Sequence, residues 1–183
     1  MNFIDTPLEG CFILEPKIHY DDRGYLMESY NERLFSQKTG LDFHFVQDNQ
    51  SFSTKGVLRG LHYQTGAHAQ AKLVRVIQGE VLDVAVDIRP GSKTYGKHVS
   101  VVLSSENQRQ FFVPRGFAHG FLVLSDTVVF FYKCDNFYDK ASEGGIIYND
   151  PEINIDWNFD ASEMIISDKD RKLPKLSEAR QAW

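Results

Sequence analysis

Two polar side chains fall at positions where strand alternation predicts apolar residues. In the segment 71–77, Lys72 shares a face with Val74 and Val76. Such a position suits an ammonium that stabilises charge or binds a ligand inside a pocket. A lysine at a strand end with its ammonium in water is the commoner outcome, so this segment alone favours a structural interpretation.

Tyr132 has a similar position in the segment 127–133, where it shares a face with Val128 and Phe130. Its hydroxyl would enter an apolar environment and need a hydrogen-bond partner there. A structural tyrosine is again the commoner outcome. The position nevertheless makes this phenol a candidate for acid–base chemistry.

Two histidines lie in glycine-containing segments. In the segment 56–64, regular alternation predicts Arg59 and His62 on opposite faces, and the flanking glycines allow another group to approach closely. His119 ends a P-x-G-x-x-H spacing at 114–119, which resembles the second motif of the cupin barrels. Its motif also forms a turn, so His119 could equally be a satisfied structural histidine.

The histidine pattern argues against a metal centre. Many cupins bind a metal through an H-x-H motif, whereas this chain has His62-Tyr63-Gln64. The other histidines (His19, His44, His68 and His98) show no ligand-like spacing. We therefore expect no metal and no cofactor, so that polar groups in the barrel act as acids, bases and charge stabilisers.

The elements that must position these side chains are mainly strands. Apolar residues mostly alternate, and seven strands are predicted at 57–62, 71–77, 80–89, 98–103, 109–113, 120–124 and 127–133. In 80–89, Leu82, Val84 and Val86 share one face while Asp83 and Asp87 point the other way. A short helix from an Asn31 cap to Gly40 and a C-terminal turn or helix at 177–180 complete the pattern. We predict an all-β, cupin-type jelly roll or antiparallel barrel with a few short helices.

Length and charge narrow the function classes. The 183 residues predict one domain over 1–183, and 20 Lys and Arg against 25 Asp and Glu give a net charge of −5. This balance disfavours nucleic-acid binding and a basic membrane anchor, and the chain shows neither a spanning run nor a signal-peptide pattern. Cys11 and Cys134 are unclustered. We expect a cytoplasmic protein with a small-molecule partner.

Together the segments resemble the dTDP-4-dehydrorhamnose 3,5-epimerase family, also called the RmlC family, over nearly the whole chain. The matching segments are D-x-R-G at 21–24, F-V-Q-D-N at 45–49, V-L-R-G-L-H at 57–62, Q-A-K-L-V-R at 70–75, D-V-A-V-D-I-R at 83–89, G-F-A-H-G-F at 116–121 and S-D-K-D at 167–170. The resemblance implies a metal-free barrel that epimerises C3 and C5 of a dTDP-linked 4-keto-6-deoxy sugar.

The same resemblance implies catalytic roles. His62 would be the base, oriented by Asp170; Lys72 would stabilise the enolate, and Tyr132 would return the proton from the opposite face. Asp168 is a competing carboxylate two residues from Asp170, which is preferred because the acid of the S-x-K-D pattern is the last residue.

Further positions are similar to ligand-contacting positions of the family. Arg23 and Arg59 suit the pyrophosphate, because guanidinium groups pair bidentately with phosphate oxygens, and Tyr138 would stack on the thymine ring. The remaining expected contacts are Glu28, Gln47, Asp48, Asn49, Lys72, His119, Glu143 and Lys169. Family members often form homodimers with exchanged N-terminal strands, so Arg23 and Glu28 are expected to serve the neighbouring pocket.

Two alternative functions remain open from the sequence. One is an epimerase that acts on a single carbon, or on a different nucleotide-linked 4-keto-6-deoxy sugar, with the same base and acid. The other is a metal-dependent cupin enzyme in which His62, His119, Gln64 and water complete a coordination sphere. A non-catalytic sugar-binding cupin is disfavoured, because a binder needs no base, orienting acid, cation and phenol together.

Overall fold

The structure is a computed structural model that describes residues 1–40 and 44–182. The strands in these ranges are β1 Asn2–Asp5, β2 Phe12–Glu15, β3 Ile18–Asp21, β4 Gly24–Met27, β5 Gln47–Thr54, β6 Val57–Gln64, β7 Lys72–Gln78, β8 Glu80–Asp87, β9 His98–Ser104, β10 Gln110–Val113, β11 Phe117–Val123, β12 Thr127–Cys134, β13 Glu143–Gly145 and β14 Ile165–Ile166. The helix α1 spans Glu32–Thr39, and short 3₁₀ turns occupy Gly66–His68, Lys140–Ser142, Ala161–Glu163, Asp170–Lys172 and Leu176–Glu178. All seven predicted strands are found within a few residues of their expected bounds.

The strands form two facing sheets and a separate hairpin. The first sheet has the order β1-β2-β10-β7-β12-β5, and the second has the order β13-β6-β11-β8-β9 with β14 beside β6. Pairing is antiparallel except between β14 and β6, and β3 pairs only with β4 among the described strands. The predicted all-β jelly-roll class is confirmed. The two sheets are not joined by strand pairing within the described ranges, so they form a sandwich and do not close into a barrel.

Apolar side chains of both sheets meet between them. Val74 and Phe130 of the first sheet pack in one buried cluster with Val81, Ala85 and Phe121 of the second sheet. Because side chains alternate along a strand, Lys72 and Tyr132 point into the same interior as their apolar neighbours on β7 and β12. The alternation predicted for these two segments is confirmed.

The outer face of each sheet is covered as well. Phe35 of α1 packs against Leu73 and Phe112 on the first sheet. On the second sheet, the apolar face of β8 and neighbouring strands is covered by the C-terminal segment through residues such as Ile153, Trp157 and Leu176. The central part of each sheet is therefore buried on both faces, and Asp83 and Asp87 have relative exposures of 0%.

The helix follows the predicted caps. The Asn31 side chain accepts a hydrogen bond from the Leu34 N–H, and Gly40 ends the helix in the left-handed region at φ 69°. No helix in the described part of the chain is long and apolar enough to cross a bilayer. The predicted C-terminal turn is the 3₁₀ turn Leu176–Glu178.

Candidate active site

A cavity of about 650 Å³, lined by both apolar and polar side chains, opens between the two sheets. It contains all four predicted catalytic residues, His62, Lys72, Tyr132 and Asp170. The other lining residues are Asn49, Gln50, Ser51, Val57, Leu58, Arg59, His119, Phe121, Phe130, Ile165, Ile166, Ser167 and Lys169. A second lobe of about 270 Å³ shares four of these residues and adds Gln47, Tyr63, Gln64, Gln70, Tyr138 and Glu143.

The strand that carries His62 departs from regular alternation. A Cβ on Gly60 would lie 2.6 Å from the Gly120 Cα, so only glycines allow β6 and β11 to approach this closely. The pairing register between the two strands shifts at this point. The prediction that Arg59 and His62 lie on opposite faces is therefore wrong, because both line the same cavity.

His62 forms a short hydrogen bond with a buried carboxylate. The distance from His62 Nε2 to Asp170 Oδ1 is 2.7 Å, and the Gly60 N–H donates to Asp170 Oδ2 at 3.3 Å. Burial acts to raise the pKa of Asp170, but the hydrogen bond and charge of His62 outweigh it and leave the pKa lowered. Asp170 is therefore ionised at neutral pH. The competing Asp168 is exposed and does not line the cavity.

Lys72 brings an unpaired ammonium to the cavity. It has no hydrogen bond or ion pair within residues 1–40 and 44–182, and its Nζ lies 6.0 Å from the centre of the Tyr132 ring. Burial lowers the pKa of Lys72, and this effect is opposed by the carboxylates of Asp83 and Glu143 and by Cys134 where its thiol is ionised. The ammonium is thus available to an oxygen of a bound ligand.

Tyr132 lies on the opposite sheet from His62. Its ring packs beside Phe130, with centroids 6.1 Å apart, and burial raises the pKa of its phenol. The phenol therefore keeps its proton at neutral pH. A planar ligand between the sheets would have the imidazole on one side and the phenol on the other.

The partner of His119, which was not predicted from the sequence, is Asp83. His119 Nε2 lies 2.9 and 3.0 Å from the two carboxylate oxygens of Asp83, and both residues are buried. The ring of His119 stacks on Phe130 with centroids 6.4 Å apart. The sequence of β8 did indicate that Asp83 needs a partner, because this carboxylate lies among apolar residues in a strand that is covered on both faces.

The expected binding residues divide between the cavity and its second lobe. Arg59, Asn49, His119 and Lys169 line the cavity. Arg59 Nε donates to Ser53 Oγ at 3.1 Å. Its Nη2 donates to the Phe52 carbonyl at the longer distance of 3.5 Å, so the terminal nitrogens are available to a ligand. The Lys169 Nζ contacts Glu143 Oε1 at 2.7 Å, and this pair links the cavity to the second lobe.

Gln47 connects two expected contacts of the second lobe. Its Oε1 accepts from the Tyr138 N–H at 3.0 Å, and its Nε2 donates to Asn49 Oδ1 at 3.2 Å. The Asn49 amide in turn donates to Cys134 Sγ at 3.7 Å. This chain of contacts fixes the segment that carries the half-exposed Tyr138 ring at the mouth of the lobe.

Three expected binding residues lie away from the cavity. Asp48 is on the outer face of β5, where it forms an ion pair with Lys133 at 3.0 Å. Arg23 is on the β3–β4 hairpin and its guanidinium contacts Asp21. Glu28 follows this hairpin and accepts a hydrogen bond from Asn31 at 3.1 Å.

Gln64 uses its side-chain amide for local structure. Its Oε1 accepts from the Asp139 N–H at 2.6 Å, and its Nε2 donates to the carbonyls of His68 and Phe137. In the described residues, no group of three or more His, Cys, Asp and Glu side chains is arranged to hold a metal. The expected absence of a metal stays a prediction.

A base, an acid and a cation meet here between two sheets. Together they can remove a proton, return it and stabilise the charge that forms, and this arrangement defines an acid–base isomerase on a jelly-roll scaffold. The model of one family of such enzymes, described as dTDP-4-dehydrorhamnose 3,5-epimerase, matches residues 5–178. The chain belongs to this family. The family and the enzyme class predicted from the sequence are confirmed.

Individual relatives agree over almost the full length. The dTDP-4-dehydrorhamnose 3,5-epimerase of Shigella flexneri is 53% identical over 98% of this chain and 98% of its own. The crystal structure of the enzyme from Elizabethkingia anophelis has a TM-score of 0.95 and 56% identity, with 97% of each chain covered. The RmlC structure from Legionella pneumophila, in complex with dTDP-4-keto-L-rhamnose, has a TM-score of 0.93 and 49% identity, with 97% of this chain and 93% of that chain covered.

Proposed function

We propose that this protein epimerises C3 and C5 of dTDP-4-keto-6-deoxy-D-glucose and so produces dTDP-4-keto-L-rhamnose. The observation that carries the proposal is the distribution of the acid–base groups: His62 lies on the second sheet and contacts Asp170 of the 3₁₀ turn Asp170–Lys172, whereas Lys72 and Tyr132 lie on the first sheet. A sugar ring between the sheets then meets a base on one face and an acid on the other. This is the geometry that inversion at a carbon requires.

Both reacting carbons flank the C4 ketone, which makes their C–H bonds acidic. Because the ionised Asp170 accepts from His62 Nε2, the neutral imidazole carries its lone pair on Nδ1, the atom that takes the proton from carbon. The electron pair moves to the C4 oxygen, where the Lys72 ammonium stabilises the enolate. Tyr132 gives its proton to the opposite face of the carbon, and solvent later restores both side chains.

The nucleotide is held by groups at the mouth of the cavity. Arg59 pairs with the pyrophosphate. Lys169 supports it, because a bound phosphate competes with Glu143 for the Lys169 ammonium. Tyr138, which is 55% exposed, stacks on the thymine ring, while Gln47 and Asn49 hold this side of the lobe. His119 accepts or donates a hydrogen bond at the sugar.

We also propose that the active form is a homodimer with exchanged N-terminal strands. The β3–β4 hairpin carries the exposed apolar residues Tyr20, Tyr25 and Leu26, which is unusual for a hairpin that stays in water. The same hairpin carries Arg23, and Glu28 follows it. In the dimer these two residues, and the outward-facing Asp48, serve the pocket or the interface of the neighbouring subunit. Residues 1–183 act as a single domain.

A complementation experiment tests this arrangement. Arg23→Ala and His62→Asn subunits should each be inactive alone, but a hybrid dimer has one pocket with its own His62 and an arginine at position 23 from the other subunit. A 1:1 mixture that exchanges freely should recover about a quarter of the wild-type activity, since half of the dimers are hybrids with one intact pocket. A mixture that stays inactive, although mass spectrometry detects the hybrid, contradicts the exchange.

The reaction itself is tested by incubating the protein with dTDP-4-keto-6-deoxyglucose in deuterated water. NMR should detect deuterium at both C3 and C5 together with the rhamno product. Label at one carbon selects a single-centre epimerase, and no label removes the activity on this substrate. Elemental analysis with chelator treatment tests the metal-dependent alternative, for which stoichiometric metal and chelator-sensitive activity are required.

A cytoplasmic location completes the proposal. The substrate is a charged nucleotide sugar built from intracellular nucleotides, and such a molecule does not cross a bilayer unaided. Cys11 and Cys134 are both buried free thiols, a state that reducing compartments maintain. Fractionation of cells of the source organism, with the protein detected by antibody, tests the location.

A further inference from the structure

Asp83 is a buried carboxylate to which the proton-transfer steps give no role. Its relative exposure is 0%, and it points from β8 into the space between the sheets. Its hydrogen-bond partner there is the His119 ring, also buried at 7% exposure. A carboxylate this deeply buried is costly unless a specific partner or an opposite charge compensates for it.

The partner geometry fixes the state of the imidazole. An ionised carboxylate has no proton to donate, so the nitrogen that contacts it must carry one. His119 Nε2 is therefore the donor, and in the neutral ring Nδ1 keeps its lone pair. On β6 and β11, His119 is the direct cross-strand partner of His62. The wall that carries the base thus contains a second imidazole whose orientation is set from beneath by Asp83.

The opposite charge is supplied by Lys72. Its ammonium enters the same interior from the first sheet without an ion pair in the described chain, and Asp83 is one of the negative groups that act on it. Burial lowers the pKa of an ammonium that has no ion-pair partner, whereas a fixed negative charge nearby favours the charged form. Asp83 on the second sheet and Lys72 on the first both enter the space between the sheets, and no hydrogen bond or ion pair joins them among the described residues.

We propose that Asp83 is a positioning residue for the epimerisation, which holds His119 as the Nε2–H tautomer and provides a buried negative charge that keeps Lys72 an ammonium. The proposal rests on the proposed function, because it concerns the same cavity. It adds that His119 presents Nδ1 as an acceptor, so the ligand group at this position is a hydrogen-bond donor such as a sugar hydroxyl. Neither effect requires Asp83 to touch the substrate.

Several ionisable groups besides Asp83 act on Lys72, and a pH test must separate them. The groups that face its ammonium are Tyr132 and Cys134 on β12, Glu143 on β13, His62 on β6, His119 on β11 and Asp83 on β8. Burial raises the pKa of both Cys134 and Tyr132, so both are neutral near pH 7. Removal of the Asp83 charge should lower the pKa of Lys72. In a plot of rate against pH, the activity falls on the alkaline side as Lys72 loses its proton, and this fall should then move to lower pH.

The tautomer is measured without turnover. Histidine ¹⁵N spectra of the full-length protein should show His119, assigned by its loss in His119→Gln, as an Nε2–H ring. In Asp83→Asn the amide can donate or accept, so this preference should weaken and the two ring ¹⁵N shifts should converge. An Nδ1–H ring in the wild-type protein overturns the proposal, and this result needs no folded variant and no substrate.

Kinetics test the effect on the reaction. Asp83→Asn should lower kcat about 10- to 100-fold, a size typical when a functional histidine loses its orienting partner, with KM changed less. The fall in its activity on the alkaline side should move to lower pH. The control is Asp87→Asn, which changes a buried aspartate of the same strand face whose carboxylate is bonded to Arg89 and Ser92 and not to a histidine, and its profile should match the wild type. If Asp83→Asn keeps the wild-type kcat and pH profile, the proposal is wrong; a wild type without deuterium exchange instead rejects the proposed function alone.

Discussion

Replacing Asp170 by Asn removes the negative charge beside His62 while preserving the shape of the side chain at position 170. When His62 takes a proton from carbon, it becomes an imidazolium whose charge lies about 4 Å from that of Asp170, for which an effective dielectric of about 20 gives about 4 kcal/mol. Because 31% of the His62 side chain is exposed, solvent weakens this attraction, and we take about 2 kcal/mol as the lower value. The transition state should therefore lose about 2–4 kcal/mol, which is a fall of about 30- to 1000-fold in kcat.

The assay is the rate of deuterium entry at C3 and C5, followed by NMR, with binding of dTDP measured separately by calorimetry. KM and dTDP affinity should change by less than about threefold, since Asp170 acts on the transition state and not on the nucleotide. Asp168→Asn is the matched control, because this carboxylate lies two residues away and is exposed. The assignment of Asp170 as the orienting acid is refuted if Asp170→Asn retains a third of the wild-type kcat. It is also refuted if Asp168→Asn loses as much activity as Asp170→Asn.

Three further predictions concern the acid, the nucleotide site and a structural carboxylate. Tyr132→Phe should lower epimerisation about 10²- to 10⁴-fold while His62 still exchanges protons on one face, so NMR should detect label without inversion; equal loss of both signals contradicts this role. Arg59→Lys should raise KM about tenfold with kcat nearly unchanged, because the lysine cannot pair bidentately with the pyrophosphate; a selective fall in kcat in steady-state assays would contradict it. Asp87, whose pKa is lowered to about 2 by bonds to Arg89 and its neighbours against the effect of burial, should contribute about 2 kcal/mol of stability above pH ~4 that is lost as the pH falls toward 2. Urea unfolding of Asp87→Asn should therefore show its deficit at pH 7 and a smaller one near pH 3; a deficit that does not change with pH contradicts the linkage.

The regular part of the fold was readable from the sequence because alternation is a local signal. Strands β6 to β12 all overlap the seven segments that were predicted from mostly alternating apolar residues, and β8 shows the alternation most clearly. Strands β1 to β5 were missed, as were the short β13 and β14. The strand β5 reads Gln47–Thr54 with mostly polar residues, and it is a strand because it pairs along its whole length with β12. Such pairing depends on the tertiary structure and leaves little trace in local composition.

The site was predicted in part for the same reason. Lys72 and Tyr132 were found because each breaks an apolar face, and the structure confirms that both point inward. The relation between Arg59 and His62 was predicted wrongly, because the register shift opposite Gly60 is a contact between two backbones that one strand's pattern does not reveal. Asp83 was seen as a polar residue on its strand, but its partner His119 is 36 residues away, and only the paired strands bring them together.

The outer packing of the first sheet also has a consequence for how this catalyst can be tuned. Lys72 faces the reactants, while its chain neighbour Leu73 is anchored on the far side by the helix through Phe35. Because Lys72 and Leu73 are adjacent in the backbone, we expect a change in the size of Phe35 to displace Leu73 and, with it, the Lys72 ammonium on the other face of the sheet. Selections for altered turnover should recover substitutions at this remote aromatic ring, although no reactant ever reaches it.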